Sequence, residues 1–146
     1  MRVLIQRVKN ASVHVSGELI GEINQGLLAL VGIEPTDNTQ TLTKMADKLL
    51  AYRVFNDAQE KMNLSLKDVN GGLLLVSQFT LAADTQKGLR PGFSTAAAPA
   101  LAEELFNEFV TYVRTNWSNT HTGRFGADMQ VTLVNDGPVT FLLDIK

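Results

Sequence analysis

The chain has 146 residues, which suits one domain with a hydrophobic core and is too short for two domains of ordinary size. Hydrophobic residues make up 45% and charged residues 19% of the chain, which argues against intrinsic disorder. The net charge of −2 excludes a surface that is basic throughout, and the absence of cysteine excludes disulfides, thiol nucleophiles and thiolate metal sites. We expect a single domain over residues 1–146.

The first third of the chain predicts β-strands. Apolar and polar residues alternate over residues 3–8 and 11–16, and a further short run covers residues 19–23. Residues 26–33 are apolar on both faces, which is typical of a central strand covered on both sides. Short strands separated by Gly and Asn predict an antiparallel meander. No run is long enough to span a bilayer, and the start of the chain is unlike a signal peptide, so we expect a cytoplasmic protein without a membrane partner.

The middle of the chain predicts two helices on either side of a buried strand. Asp37 or Asn38 can cap a helix that begins near Thr39, and Pro99 suits the first turn of a second helix. Between them, residues 73–76 form a continuous apolar strand that leads into Ser77. Residues 83–98 are irregular, and loops of this length are usually functional or disordered.

Two alternating runs near the end of the chain, residues 129–134 and 139–143, predict two strands joined by Asn135 to Pro138. Asp136-Gly137 favours a hairpin turn, but Pro138 stands where the second strand should already pair. A Gly–Pro bond can be cis, and Gly at the tip lets carbonyl oxygens approach a ligand closely. The order of elements predicts an α+β fold, with two helices packed on a mainly antiparallel, barrel-like sheet.

The usual catalytic constellations are missing. His14 and His121 are the only histidines, and neither has a second His or a carboxylate at ligand spacing. There is no Gly-x-Ser-x-Gly elbow, no Gly-x-Gly-x-x-Gly motif and no Walker A motif. We therefore expect no metal and no cofactor, and any site must work through backbone groups, hydroxyls and shape.

Residues 77–80 are the candidate catalytic segment, because they follow the most buried strand and their backbone is expected to be rigid. Amides at such a place can bind an oxyanion without reorganisation. Gln78 and Thr80 add hydrogen-bonding groups, and Phe79 adds a ring against which a base can rest. A strand that simply leaves the core would have the same pattern, just as an ordinary turn would explain Gly137-Pro138. The cations of the Gly-rich loops form either a basic patch or solvated surface charge: Lys87, Arg90 and Arg124.

Several motifs occur in a recognisable order along nearly the whole chain. They are Gln6-Arg7-Val8 with Ala11-Ser12-Val13, Arg53-Val54-Phe55 with Lys61-Met62-Asn63, Ser77-Gln78-Phe79-Thr80-Leu81, Arg90-Pro91, residues 122–129, and Asn135-Asp136-Gly137-Pro138-Val139-Thr140. In these motifs the chain resembles the D-aminoacyl-tRNA deacylases of bacteria and eukaryotes. The resemblance implies hydrolysis of the ester between a D-amino acid and the 3′-terminal adenosine of tRNA, and also removal of glycine misattached to alanine tRNA.

The resemblance also implies a homodimer with its active sites at the subunit interface. Gly137-Pro138, with a cis bond, would project into the partner's site, where an L side chain collides with it and a D side chain points away. Achiral glycine would be accepted. DNA is not expected as a partner.

Roles for individual residues follow from the same resemblance. Amides around Phe79 and Thr80 would stabilise the oxyanion, while the 2′-hydroxyl of the terminal ribose activates water. Thr80 as a nucleophile is the alternative. Ser77, Gln78 and Phe79 would belong to the catalytic segment, and Gln78 and Phe79 would also hold the adenosine. Arg7, Asn135, Val139 and Thr140 would support the Gly-Pro motif, and Lys87, Arg90 and Arg124 would contact phosphates of the acceptor stem. A non-catalytic RNA-binding module and an assembly protein are the competing interpretations.

Overall fold

Eight strands and two α-helices form along the chain, in a computed structural model that describes all 146 residues. None of its helices has the length and apolar character needed to cross a membrane. The elements, in chain order, are β1 (Arg2–Val15), β2 (Glu18–Ile23), β3 (Gly26–Gly32), α1 (Thr39–Ala51), β4 (Phe55–Asn56), β5 (Met62–Leu64), β6 (Gly72–Ser77), a 3₁₀ turn (Phe79–Ala82), α2 (Pro99–Asn116), β7 (Thr120–Thr122) and β8 (Gln130–Asp144).

Both helices begin where the sequence predicts. Asn38 is the N-cap of α1, since its side chain accepts a hydrogen bond from the Thr41 amide at 3.1 Å. The Thr41 hydroxyl in turn accepts from the Asn38 amide at 2.9 Å, which completes a capping box. Pro99 occupies the first turn of α2, where its missing N–H costs little.

The main sheet is mixed, in the order β2-β1-β3-β6-β7, with β8 on the other side of β1. Strand β1 is antiparallel to β2, β3 and β8, which confirms the mainly antiparallel character. The β3–β6 and β6–β7 pairs are parallel, because α1 and α2 lie in the crossover connections that parallel neighbours require. The predicted meander is wrong, since β3 pairs with the first half of β1 and not with β2.

The sheet curls until its two end strands touch. A Cβ atom added to Gly21 of β2 would lie 2.5 Å from the carbonyl oxygen of Thr122 in β7, so glycine permits this close approach. The barrel-like prediction is therefore confirmed. Strand β3 is covered on both faces as predicted, because Leu27 and Ala29 join the larger core under the helices and Leu28 joins a smaller core inside the curl.

The end of the chain differs from the prediction of two strands joined by a turn. Residues 130–144 form one strand, β8, which stays antiparallel to β1 along its length. Gln6 pairs with Thr140 and Val8 with Asn135, so four residues of β8 face the single residue Arg7. The excess is absorbed as a large bulge within one strand. The Asp-Gly signal marks that bulge and not a hairpin.

Candidate active site

A cavity of about 600 Å³ opens at the carboxyl end of β6. Its wall is mostly apolar and comes from β6, the long loop before α2, the start of α2 and the segment before β8. The wall consists of residues 76–79, 93, 96–99, 102, 125–129 and 131. Asp128 is the only ionisable side chain among them, so the cavity contains no pair of groups for acid–base catalysis.

The predicted catalytic segment forms one edge of this cavity. Strand β6 is buried between β3 and β7, and the Gln78 amide extends the β3 pairing by donating to the Val31 carbonyl at 2.8 Å. The chain then turns into the 3₁₀ helix at Phe79, and the first amides of a helical turn have no partner within it. The amides of Phe79 and Thr80 donate to no other backbone acceptor either. Two free donors are thus held at the end of a rigid strand.

The side chains of this segment differ in their placement. Ser77, Gln78 and Phe79 line the cavity, whereas Thr80 does not. The Gln78 side-chain amide donates to the Thr80 hydroxyl, which ties the two polar groups together beside the cavity. Phe79 is 56% exposed and packs against Phe93, with ring centroids 5.2 Å apart. Sequence reasoning missed Phe93, although an aromatic residue inside a Gly- and Pro-rich loop is a usable signal.

The Gly137-Pro138 motif lies far from the cavity of its own chain. Its neighbours Asn135 and Thr140 pair with Val8 and Gln6, which lie level with the start of β6, while the cavity begins at the end of β6. Three strand spacings separate β8 from β6, or roughly 14 Å across the sheet. Both motif residues are exposed and the bond between them is cis. One chain therefore does not bring its two motifs together.

Arg7 holds the bulge that carries Gly137 and Pro138. Its guanidinium is buried, donating from Nε to the Asp136 carbonyl and from Nη1 to the Val54 carbonyl, both at 2.8 Å. A further donation from Nη1 reaches Asn56 Oδ1 at 3.4 Å, and the Asp136 carboxylate lies 3.8 Å from Nε. The planar fork of arginine, with its five N–H donors, suits this set of acceptors.

The other residues predicted to support the motif, Asn135, Val139 and Thr140, lie at the two ends of the bulge and are joined by hydrogen bonds. The Asn135 side chain accepts from the Val139 amide at 2.8 Å and donates to the Val139 carbonyl at 3.1 Å. Asn135 and Gln6 also donate to the Thr140 hydroxyl, each at 3.2 Å. A Cβ atom on Gly137 would lie 2.4 Å from the Val139 amide nitrogen, so no other residue fits at this position without a shift.

The β4–β5 hairpin is attached to the bulge through Arg7 and Asn56. Hydrogen bonds from the Asn63 side chain and from the Lys61 and Gln59 amides hold the pKa of the Asp57 carboxyl below its usual range. Lys61-Met62-Asn63, one of the motifs singled out in the sequence, thus belongs to the tight end of this hairpin.

The three predicted cations are all exposed. Lys87 and Arg90 lie on the loop that leads to Phe93, and Arg124 directly precedes Phe125 in the cavity wall. None of the three forms an ion pair within the chain. Of the two histidines, His14 lies in β1 and His121 lies in β7, where its Nε2 is 3.1 Å from Asn119 Oδ1. No group of three or more His, Cys, Asp or Glu residues is placed to hold a metal ion.

A sequence model of the family described as D-Tyr-tRNA(Tyr) deacylase matches residues 4–144. The chain belongs to this family. It is 62% identical over 144 residues to a D-aminoacyl-tRNA deacylase of Teredinibacter turnerae and 62% identical over 145 residues to one of Pseudomonas putida KT2440, with 99% of this chain and at least 99% of each relative covered.

Two solved structures share the deacylase fold. The c-Myc DNA Unwinding Element Binding Protein is 40% identical, with a TM-score of 0.96 over 100% of this chain and 99% of that one. A probable eukaryotic D-amino acid tRNA deacylase is 18% identical, with a TM-score of 0.86 over 99% of this chain and 98% of that one, and at that identity it shows the fold alone.

We expect Arg7→Met to lower the free energy of unfolding by about 1–3 kcal/mol, because the buried Val54 carbonyl loses its donor. Urea unfolding measures the change. Arg2→Met is the matched control, since Arg2 has only a loose ion pair with Asp144 at 3.9 Å and should change stability by less than about 0.5 kcal/mol. Equal stability of Arg7→Met and the unmodified protein would contradict this role for Arg7.

Proposed function

We propose that the protein hydrolyses the ester bond between a D-amino acid and the 3′-terminal adenosine of tRNA, and releases the free amino acid and tRNA. The observation that carries this proposal is the pair of free amides, at Phe79 and Thr80, held at the edge of an apolar cavity by the end of β6. Family membership and the names of the relatives supply the substrate class. Such a substrate belongs to translation, so the proposed location is the cytoplasm.

The cavity suits an adenosine that carries an amino acid. Its volume of about 600 Å³ lies within the usual range for small-molecule sites. Phe79, Phe93 and Phe125 offer rings for the adenine, and single-stranded RNA ends are commonly held by stacking of this kind. We assign the adenosine to this wall, with Gln78 as a hydrogen-bonding contact at its edge.

The chemistry proceeds without a protein base in this proposal. Attack of water on the ester carbonyl places negative charge on the carbonyl oxygen, and the Phe79 and Thr80 amides donate to that oxyanion. The ester is already activated, so the 2′-hydroxyl of the same ribose can orient the water, accept its proton and pass its own proton to the adjacent 3′-oxygen. The tetrahedral intermediate then collapses to the carboxylic acid as the bond to the protonated 3′-oxygen breaks. Thr80 is the alternative nucleophile, but no base contacts its hydroxyl, which is bonded only to Gln78.

Chiral selection requires a second copy of the chain. Gly137 and Pro138 are exposed and do not line the cavity of their own chain. Strand β8 pairs only with β1, and it leaves an edge of 15 residues that exposes Val134, Phe141 and Leu142. A long exposed edge strand with apolar side chains is a template for pairing with another chain. We infer a homodimer in which the Gly137-Pro138 bulge of each subunit enters the cavity of the other.

In that arrangement the bulge selects by collision. Its carbonyl oxygens face the α-carbon of the substrate, so an L side chain meets the bulge while a D side chain points away. Arg7 and Asn135 hold the bulge in position through the hydrogen bonds described above. Glycine has no side chain to reject, so glycine on alanine tRNA is also a substrate. Lys87, Arg90 and Arg124 bind phosphates of the acceptor end.

A nucleic-acid-binding protein without catalysis is the second candidate, favoured by the name of the relative that is 40% identical. Incubation with D-Tyr-tRNA, L-Tyr-tRNA and Gly-tRNA(Ala) separates the two. We expect release of D-tyrosine and of glycine but not of L-tyrosine. Thin-layer chromatography of the labelled amino acids measures the release. Binding to these RNAs, or to single-stranded DNA, without D-selective release would support the second candidate instead.

The mechanism predicts that Thr80→Val keeps most of its turnover, while D-Tyr-tRNA that ends in 2′-deoxyadenosine is not hydrolysed. The reason is that the water is activated by the RNA and the Thr80 hydroxyl plays no direct part. Single-turnover rates measure both. Loss of turnover in Thr80→Val together with normal hydrolysis of the deoxy substrate would show that the hydroxyl is the nucleophile.

A pair of variants at Phe79 provides the control for the backbone donors. Phe79→Ala removes the ring and keeps the amide, whereas Phe79→Pro removes both. Proline fits the first position of the 3₁₀ turn, and Gln78 before it, at φ −143° and ψ 80°, is already outside the α region that a following proline disfavours. We expect Phe79→Pro to turn over about 10²–10³-fold more slowly than Phe79→Ala, the usual effect of losing one oxyanion donor.

Mixed dimers test whether the bulge acts on the partner. Gly137→Ala displaces the bulge, so its homodimer should also hydrolyse L-Tyr-tRNA, and the Phe79→Pro homodimer should be nearly inactive. A mixed dimer of one Gly137→Ala subunit and one Phe79→Pro subunit can be purified through two different tags. Its intact cavity belongs to the Gly137→Ala subunit and, in the proposed dimer, receives the unmodified bulge of the Phe79→Pro subunit. We expect D-selective hydrolysis. Hydrolysis of L-Tyr-tRNA by the mixed dimer would mean that each bulge acts within its own chain.

A further inference from the structure

The 84–92 loop, the segment from Asp84 to Gly92, projects from the rim of the cavity. Its ends are joined by two backbone hydrogen bonds, from the Asp84 amide to the Gly92 carbonyl at 2.7 Å and from the Gly92 amide to the Asp84 carbonyl at 3.0 Å. The Asp84 carboxylate also accepts from the Gln86 amide at 2.9 Å. The neck of the loop is therefore ordered, and every residue from 85 to 91 is exposed.

The loop is attached to the cavity wall on one side. Gly92 is followed directly by Phe93, which lines the cavity and packs on Phe79. The chain then returns to the core, where the Thr95 hydroxyl donates to the Ala82 carbonyl at 2.6 Å and the Ala97 amide donates to the Ile33 carbonyl at 3.1 Å. Both ends of the loop thus rest on structure that does not depend on the loop tip.

The tip combines positive charge with an apolar side chain. Lys87 and Arg90 flank Leu89, whose side chain is fully exposed, unlike the other exposed leucines, which are partly covered. Residues 85–102 contain no acidic side chain, so neither cation is neutralised locally. Exposed cations beside an exposed apolar group match single-stranded RNA, which presents phosphates and unstacked bases together.

The position of the loop tip determines which part of the RNA the tip can contact. Leu89 is four residues from Phe93, so it lies at most about 14 Å from the cavity wall along the chain. A stacked strand rises about 3.4 Å per nucleotide. With the terminal adenosine in the cavity, the nucleotides that directly precede it therefore lie within reach of the loop tip.

We propose that the 84–92 loop binds the unpaired 3′ strand of the tRNA as it leaves the cavity, with Leu89 against a base and Lys87 and Arg90 on its phosphates. This proposal rests on the proposed function, since it requires the terminal adenosine to occupy the cavity. It makes the loop a determinant of affinity for the whole tRNA and gives it no part in the chemistry.

Two substrates of different length test the proposal: D-Tyr-tRNA and the 3′-D-tyrosyl ester of adenosine, which has no preceding nucleotides. For the tRNA, Lys87→Gln with Arg90→Gln should lower kcat/KM through KM, and Leu89→Ser should do so several-fold. Both variants should hydrolyse the adenosine ester at the unmodified rate. Each phosphate contact on a single strand contributes about 0.7 to the slope of log(kcat/KM) against log[salt], so the double variant should reduce that slope by about 1.4 while Leu89→Ser leaves it unchanged.

Matched controls remove the same groups elsewhere. Lys44→Gln with Lys67→Gln removes two exposed cations that do not line the cavity, and Leu19→Ser changes an exposed leucine of β2. The proposal is overturned if these controls act like the loop variants, if the loop variants leave tRNA kinetics unchanged, or if they slow both substrates equally. Hydrolysis of D-Tyr-tRNA by the unmodified protein tests the proposed function separately, and failure there overturns both.

Discussion

The buried guanidinium of Arg7 is the interaction on which the arrangement of this molecule depends. It is the single residue of β1 that faces four residues of β8, and it fills the space that the bulge opens. Its donors reach a carbonyl of the bulge and a carbonyl just before β4, so one side chain joins the edge strand to the β4–β5 hairpin. An apolar residue could fill the space but could not satisfy those carbonyls, which explains a charged residue in a buried position.

The proposed active site uses very few side chains. Its donors are the amides at the start of a 3₁₀ turn, which are free because helical turns leave their first donors unpaired, and they are kept in place by a strand buried between two neighbours. Backbone donors that need no reorganisation are well suited to a charge that exists only during reaction. In the proposed dimer the same principle applies to the bulge, where shape and carbonyl oxygens replace a specific side-chain contact. A site of this kind fits a substrate whose ester is already reactive and whose ribose supplies a hydroxyl.

Local signals predicted some features well and failed on others for identifiable reasons. The starts of α1 and α2 were predicted because Asn38 and Pro99 act within one turn of the chain. The turn at Asp136-Gly137 was wrongly predicted as a hairpin, because alternation identifies strand residues but not the strand with which they pair. Both halves of β8 pair with β1, and that choice is made by long-range contacts. The meander was wrong for the same reason, since β1 is long enough to pair with β2 and β3 in succession.

The sequence by itself determined the chemical character of the site. Without cysteine, a histidine pair or clustered carboxylates, only backbone groups, hydroxyls and shape remained, and residues 77–80 and 135–140 could be singled out from their motifs. The tertiary structure decided where these motifs lie. It placed the first at a cavity completed by Phe93 and by the start of α2, and the second on an exposed bulge of an edge strand, away from that cavity. Sequence could not decide this, because strand order and register are set by side-chain burial between segments that are distant along the chain.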